Sequence, residues 1–221
     1  MMRPTSCLAL LRPARRGVAA VGCRVGGAAA AVDEIFDLFA RHGAGDYVGE
    51  DVSQAEHALQ AADLANRSGL GEDAVLAALL HDCGHLLGLE DLSIPRMGDC
   101  GIMDHENLGG KWLRARGFSP RVSALVARHV DAKRYLCCVK PAYYAQLSDA
   151  SRITLGYQGG PMAPEEAKAF ESDELFRTII AMRRWDEAAK VPGKVVPELG
   201  EYRALLEAHL ARHTELATSV E

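Results

Sequence analysis

The histidine and aspartate residues in the middle of the chain are the first candidates for chemistry. Five of the eight histidines lie between His57 and His129. His81 and Asp82 are adjacent after an apolar run, and His85 follows one helical turn after His81, so these side chains are able to reach one site. Imidazole and carboxylate together suit iron, manganese or zinc better than calcium. A single histidine usually packs in a core, but such a cluster predicts a buried metal centre.

The elements that carry these residues are predicted to be helices with short breaks. Ser53 and Glu56 form a capping box, and Ser119 followed by Pro120 is a typical helix start. The low aromatic content of 6% favours helices over strands. The predicted helices cover residues 33–42, 53–65, 72–87, 104–117, 119–129, 141–155, 165–190 and 199–213. The sequence therefore predicts one all-α domain spanning residues 33–221.

The first 32 residues differ in composition from the rest of the chain. They contain five arginines and no acidic residue, which is typical of a mitochondrial transit peptide. A disordered tail, or a start codon placed too early in a cytoplasmic protein, are alternatives that the composition leaves open. Without these five arginines, the 25 basic residues fall to 20 against 30 acidic ones, which argues against a nucleic-acid partner. No apolar run is long enough to span a bilayer.

A longer pattern connects the candidate ligands to a known family. They follow one another in the order His57, His81-Asp82, His105, His129 and a late aspartate. This order resembles the diiron branch of the HD superfamily, an all-α helical bundle family that also includes myo-inositol oxygenase. The segments DYVGEDVSQAEHALQAA, LAALLHDCGH, DHENLGGKWLRARGFS, HVDAKRYL, LSDASRITLGYQGGPM and RRWDE are most similar to the group within it that acts on 2-amino-1-hydroxyethylphosphonate. They cover nearly everything from Asp46 onward.

The resemblance implies a ligand set for two iron ions of mixed valence, Fe(II) and Fe(III). One ion is held by His57, His81 and Asp186, the other by His105 and His129, and Asp82 bridges them. The sixth ligand has a rival in Asp149, because the segment Leu-Ser-Asp-Ala-Ser resembles the ending of simpler HD phosphohydrolases. The Arg-Arg-Trp-Asp segment that contains Asp186 matches the diiron family better, so we expect Asp186 to be the ligand.

The resemblance also implies which residues contact the substrate. The phosphonate contacts of the family fall on Lys133, Arg183, His85 and Ser151. Tyr47 matches a tyrosine that covers an open iron position, Glu50 matches a glutamate that pairs with the substrate amine, and Gln54 adds a polar contact. Tyr47, Glu50, His85 and Lys133 are the residues expected closest to the reaction. Arg183 precedes Asp186 by one turn, which places both on one helix face.

The implied activity is that of a diiron dioxygenase. Its partners are a small organophosphonate and O2, and it cleaves the carbon–phosphorus bond of 2-amino-1-hydroxyethylphosphonate to give glycine and phosphate. Three alternatives remain: an HD phosphohydrolase in which metals activate water, a binding protein without catalysis, and the same oxygenase chemistry on an N-methylated aminophosphonate. The stretch from Leu86 to Asp104 is slightly longer than in the family, which leaves the substrate open. The oligomeric state is open as well.

Overall fold

Helices account for the regular structure of the chain, as the sequence predicts. The computed structural model describes residues 27–47 and 49–218, with side chains as far as His213. The helices are α1 (Ala28–His42), α2 (Gln54–Ser68), α3 (Glu72–Leu80), α4 (Cys83–Gly88), α5 (His105–Ala115), α6 (Pro120–Val139), α7 (Pro141–Gln146), α8 (Asp149–Tyr157), α9 (Pro164–Glu171), α10 (Phe176–Ala188) and α11 (Arg203–Thr218). A 3-10 turn, Leu199–Tyr202, precedes α11. Within the described ranges the architecture is all-α, which confirms the predicted fold class.

The amino-terminal boundary differs from the predicted one by a few residues. Helix α1 begins at Ala28, and the side chains of Ala31 and Val32 are buried. Residues 28–32, assigned by composition to the extension of residues 1–32, therefore pack with the helical body. The predicted targeting segment otherwise falls on residues 1–26, which lie outside the described residues. In the described part of the chain, no helix combines the length and apolar character needed to cross a membrane.

Three predicted helices are each divided in two by the structure. The helix expected over residues 72–87 is interrupted at His81 and Asp82, where the backbone of Asp82 has φ −101° and ψ 10°. The helix expected over 141–155 ends at Gln146, because the Ser148 hydroxyl accepts from the Ser151 N–H and caps a new helix. The helix expected over 165–190 is divided at residues 172–175, where the Asp173 carboxylate accepts from a backbone N–H. At the second and third interruptions, a polar side chain accepts from a freed backbone N–H.

The bundle is organised around α3 and α6. Helix α6 packs against α3, α5, α9 and α10, while α2 packs against α3 and α10. Every residue of α3 from Ala74 to Leu80 is buried, as expected for a helix that is covered on all sides. Helix α6 continues ten residues beyond His129, the end that the sequence predicts, and reaches Val139. This extension brings Lys133 into the same cavity as His129.

Candidate metal centre

Four histidine rings meet in the centre of the helical bundle. His57 lies in α2, His81 directly follows α3, His105 begins α5, and His129 lies in α6. All four are buried, with at most 6% of the residue exposed. Side chains that are far apart in the sequence are therefore collected at one point by four different helices, as the sequence predicts.

The orientation of three of these rings is fixed by the protein backbone. In each, the Nδ1–H donates to a main-chain carbonyl oxygen. The distances are 2.9 Å from His57 to Ala189, 2.8 Å from His81 to Ala78, and 2.9 Å from His129 to Val126. A neutral imidazole that donates through Nδ1 carries its lone pair on Nε2, and metal-binding histidines are commonly oriented in this way.

The inward nitrogens lie in two close pairs. The Nε2 atoms of His57 and His81 are 3.1 Å apart, and those of His105 and His129 are 3.3 Å apart. If both rings are neutral and donate through Nδ1, two lone pairs face each other at this distance and repel. Two nitrogens each about 2.1 Å from one metal ion at a right angle lie about 3.0 Å apart. Both pairs therefore have the spacing of two ligands on one cation.

Asp82 lies between the two histidine pairs and offers one carboxylate oxygen to each. Its Oδ2 is 3.3 Å from His81 Nε2 and 3.7 Å from His57 Nε2. Its Oδ1 is 3.3 Å from His105 Nε2 and 3.5 Å from His129 Nε2. A carboxylate with its oxygens divided in this way has the geometry of a bridge between two ions.

The two candidates for the sixth ligand are found in very different places. Asp186, in α10, has its Oδ1 atom 3.5 Å from His57 Nε2, and this atom is buried without a hydrogen-bond partner. Its Oδ2 accepts from Arg183 Nη1. The side chain of Asp149, in contrast, is 93% exposed and lies near Arg152 at the surface. Of the two aspartates, Asp186 is therefore the one whose carboxylate faces the histidines, and its unpaired oxygen is suited to a cation.

The protonation states of the cluster fit a metal site. Burial lowers the pKa of His57 to about 4 and that of His129 to about 3. The pKa of Asp186 is also low, because the adjacent Arg183 outweighs the effect of burial. His81 differs from His57 and His129. Burial lowers its pKa, but the adjacent Asp82 carboxylate opposes this effect and raises the pKa to about 9. Neutral imidazoles and ionised carboxylates are the forms that bind metals, and a cation beside Asp82 would replace the His81 proton.

The buried cluster is thus compatible with metal binding. Ligand atoms of His57, His81 and Asp186 lie within 4.8 Å of one another, and so do those of Asp82, His85 and His105. Nitrogen and carboxylate donors without a thiolate suit iron, manganese and zinc.

Tyr47 covers the first histidine pair from the side of the loop before α2. Its ring stacks on His57, with 3.9 Å between centroids and 18° between planes. Burial raises the pKa of Tyr47 well above its usual value, and the nearby Asp82 and Asp186 raise it further. The phenol is therefore protonated, and its ring lies against that of His57.

Two cationic side chains lie beside the ligand cluster. Lys133 Nζ donates to Thr154 Oγ1 at 2.9 Å, and burial, with Arg183 nearby, lowers the Lys133 pKa to about 8. Arg183 Nε donates to Tyr143 Oη at 2.7 Å. Both cations are buried and line the cavity that borders the cluster, so this end of the cavity is suited to an anion.

His85 lies next to His105 of the second histidine pair and lines the cavity. The Ile102 N–H donates to His85 Nδ1 at 3.0 Å, which leaves Nε2 as the protonated nitrogen. The His85 ring stacks on His105 with 3.8 Å between centroids. In this tautomer His85 is a hydrogen-bond donor, a state that suits contact with a phosphonate oxygen and not metal coordination.

Glu50 has a partner that the sequence did not suggest. Its Oε1 atom accepts from Lys190 Nζ at 2.7 Å, and Lys190 Nζ also lies 5.4 Å from the centroid of the Tyr47 ring. Gln54, predicted as a further polar contact, lines the same cavity and donates to the Asp46 carbonyl at 3.2 Å. The Glu50 carboxylate, which was expected to bind the substrate amine, is therefore already paired with an amine of the protein, that of Lys190.

The predicted substrate residues share one cavity of about 190 Å³. All seven of them line it: Tyr47, Glu50, Gln54, His85, Lys133, Ser151 and Arg183. The cavity also reaches Asp82, His105, His129 and Asp186 of the ligand cluster. The structure thus brings the predicted ligands and the predicted substrate residues together, apart from the alternative ligand Asp149.

Sequence reasoning missed three polar residues of the site. Lys190 pairs with Glu50, Tyr143 accepts from Arg183, and Thr154 accepts from Lys133. A signal was present for Lys190, which follows Asp186 by four residues, as Arg183 precedes it by three. Tyr143 and Thr154 had no such signal, because both reach the site through the tertiary packing of α7 and α8.

The chain belongs to the HD domain family, whose model matches residues 55–185. It is similar to a protein named [1-hydroxy-2-(trimethylamino)ethyl]phosphonate dioxygenase (glycine-betaine-forming) from Leisingera caerulea, with 37% identity over 82% of this chain and 91% of the relative. It is also similar to a hydroxymethylphosphonate dioxygenase from Gimesia maris, with 40% identity over 81% and 88%. A third relative, 40% identical over 83% of both chains, is an uncharacterized protein of Acanthamoeba polyphaga mimivirus.

These relatives confirm the resemblance to HD-domain oxygenases on which the sequence-based expectations rest. The prediction that the chain is an enzyme, and a dioxygenase, is confirmed with it. The two dioxygenases carry names that differ in the group beyond the hydroxylated carbon, a trimethylamino group in one and none in the other.

Proposed function

We propose that this protein is a mixed-valent diiron oxygenase that cleaves the carbon–phosphorus bond of a 1-hydroxyphosphonate with O2. The substrate we infer is 2-amino-1-hydroxyethylphosphonate, and the products are glycine and phosphate. The proposal depends above all on the position of Asp82, which offers one oxygen to each of two histidine pairs at the edge of the cavity that Lys133 and Arg183 line. The names of two relatives, both phosphonate dioxygenases, support the reaction class.

The ligand assignment follows the geometry of the cluster. One iron would be held by His57, His81 and Asp186, the other by His105 and His129, with Asp82 shared. When bound, the two irons would supply the redox chemistry and the activation of O2 that no amino-acid side chain provides. The overall reaction balances without a further reductant, because both oxygen atoms of O2 enter the products, one glycine and one phosphate.

The side chains around the irons would hold the substrate at both ends. Lys133 and Arg183 supply positive charge for the phosphonate oxygens, and the protonated Nε2 of His85 is a third donor. The Tyr47 ring and the Glu50 carboxylate line the same cavity, and the amino group of the substrate would bind to them. Holding both ends aligns the hydroxylated carbon with the metal side of the cavity and reduces the entropic cost of reaction.

The lining of the cavity argues for a primary amine over a quaternary one. A trimethylammonium group prefers a cage of several aromatic rings. Among the described residues that line the cavity, Tyr47 is the one phenylalanine, tyrosine or tryptophan. Carboxylate recognition by Glu50 suits a group that donates hydrogen bonds, which a trimethylammonium lacks.

The test uses full-length protein loaded with iron and partially reduced. It is mixed with 2-amino-1-hydroxyethylphosphonate, its trimethylamino analogue or hydroxymethylphosphonate, and O2 uptake, phosphate and the carbon product are measured. We expect equal amounts of glycine, phosphate and consumed O2 with the first substrate. Phosphate release from phosphoesters with manganese and without O2 would replace the proposal by a phosphohydrolase. An Asp82→Asn variant is expected to be inactive, and Asp149→Asn, at the exposed aspartate, is the matched control.

A further inference from the structure

Lys190 lines the cavity beside Glu50 and Tyr47. Its ammonium lies 2.7 Å from Glu50 Oε1 and 5.4 Å from the Tyr47 ring centroid. The side chains of Lys190 and Glu50 are only 17% and 22% exposed. This is a partly desolvated ion pair, in which charge-assisted hydrogen bonds are stronger than at an open surface.

The backbone on both sides of Lys190 is held independently of its side chain. The preceding carbonyl, of Ala189, accepts from His57 Nδ1 at 2.9 Å. The following residue, Val191, donates its N–H to Gln60 Oε1 at 3.1 Å, and its carbonyl accepts from Gln60 Nε2 at 3.0 Å. Lys190 is therefore anchored at its Cα while its four-carbon side chain stays free to leave Glu50.

A carboxylate beside the face of an aromatic ring is the pair of groups that recognises an organic ammonium. In this protein the Lys190 ammonium fills that place. We propose that Lys190 is a tethered competitor for the ammonium of the substrate at Glu50, and so determines selectivity among 1-hydroxyphosphonates. The inference rests on the proposed function and concerns the end of the substrate that does not react.

The three kinds of substrate differ in what they do to this pair. A primary ammonium must displace Lys190 from Glu50, and it then donates its own hydrogen bond to Glu50 in place of the one from Lys190. A trimethylammonium displaces Lys190 without replacing its hydrogen bond, because it has no N–H. A substrate without an amino group, such as hydroxymethylphosphonate, leaves the pair intact. Glu50 alone would favour substrates with an amino group, and Lys190 therefore weakens this preference.

A second cavity offers the displaced lysine a place to go. It has a volume of about 300 Å³, and its lining includes Glu50, Lys190, Tyr143, Ser148 and Glu187. The Glu187 carboxylate, whose Oε1 already accepts from Arg183 Nε and Tyr143 Oη, lines this space as a second acceptor for the ammonium. Displacement therefore exchanges one carboxylate environment for another, and the charge of Lys190 need not be buried alone.

The test measures selectivity in Lys190→Met and Lys190→Gln, with iron-loaded full-length protein. For 2-amino-1-hydroxyethylphosphonate we expect KM to fall by roughly tenfold, because one charge-assisted competitor is removed. The KM for hydroxymethylphosphonate is expected to stay unchanged. Lys168→Met, at an exposed position of α9, is the matched control, and thermal melting verifies that each variant is folded. In a Glu50→Gln background the effect of Lys190→Met should disappear, because the carboxylate for which Lys190 and the substrate ammonium compete is absent.

The outcomes separate the inference from the proposed function. A wild type that turns over phosphonates, with a ratio of KM values unchanged in both folded Lys190 variants, overturns the inference alone. Persistence of the effect in the Glu50→Gln background also overturns it, since Lys190 would then act by another route. An iron-loaded wild type that neither turns over nor binds any of the phosphonates, the latter measured by anaerobic calorimetry, overturns both.

Discussion

Gly84 lies against the backbone of His105, so closely that a Cβ on Gly84 would be 1.9 Å from the His105 carbonyl oxygen. This contact joins α4 to the start of α5 and thereby fixes the distance between Asp82 and His105, whose ligand atoms are 3.3 Å apart. Gly84→Ala cannot be accommodated without moving one of the two helices. We expect iron to be lost together with at least about 2 kcal/mol of stability, measured by metal analysis and chemical denaturation.

A second glycine provides the control for this substitution. Gly156 lies inside α8, and a Cβ added there meets no atom within 4 Å. Gly156→Ala should therefore stabilise the protein by roughly 0.5–1 kcal/mol, because alanine has the higher helix propensity. Equal stability and equal iron content in the two variants would contradict the role given to the Gly84 contact.

The ligand role of Asp186 is tested by counting metal. Asp186→Ala removes the carboxylate whose buried Oδ1 atom faces His57, and we expect iron binding to fall by about half. Asp149→Ala removes an exposed carboxylate and should leave the iron content unchanged. The reverse order of iron contents, determined on protein purified in the same way, would make Asp149 the ligand.

Tyr47→Phe separates the stacking of the ring from the effect of its hydroxyl. The phenylalanine ring preserves the contact with His57, so we expect iron to be retained. Without the hydroxyl near Asp82 and Asp186, the metal side of the cavity becomes more accessible. O2 should then be consumed several-fold faster when no substrate is present. An oxygen electrode measures this rate, and a rate equal to that of the wild type would count against a covering role.

The pH dependence of substrate binding should reflect Lys133. Burial and the neighbouring Arg183 lower its pKa to about 8, so the ammonium is present below this pH and the neutral amine above it. The positive charge offered to a phosphonate is thus lost as the pH rises, and we expect KM to increase above about pH 8. Lys133→Arg stays charged through this range and should show a smaller increase.

Comparing Lys133→Arg with the wild type at each pH cancels the titration of the phosphonate itself, because both proteins bind the same substrate. The difference between the two profiles then reports Lys133. Parallel profiles between pH 7 and 9 would show that another group controls binding.

The sequence was sufficient for the all-α fold class and for the members of the histidine cluster, but not for the division of three predicted helices. Residue types at helical spacing, together with the family resemblance, identified the residues that the structure collects around Asp82. The break between α3 and α4 was not predictable from the segment itself. The run from Ala74 to Leu80 favours helix throughout, and nothing in the local sequence reveals that Gly84 must approach His105. The break is set by packing between helices that are distant in sequence.

The Glu50–Lys190 pair shows a second limit of sequence reasoning. The two residues are 140 positions apart, and a lone lysine after a helix is usually a solvated surface residue. The resemblance to a family assigned Glu50 to a substrate amine, but it could not show that the carboxylate is already paired. That required the path of the backbone after α10, which no local pattern encodes.

In the short stretch after α10, the backbone and the Lys190 side chain make different contacts. The main chain of Ala189 orients His57, and that of Val191 is held by Gln60, whereas the side chain of Lys190 alone reaches Glu50. A substitution at residue 190 therefore leaves the backbone contact that orients His57 intact. With the role proposed for Lys190, single substitutions at this position would change the range of substrates over evolution, while the histidine and aspartate cluster is inherited unchanged.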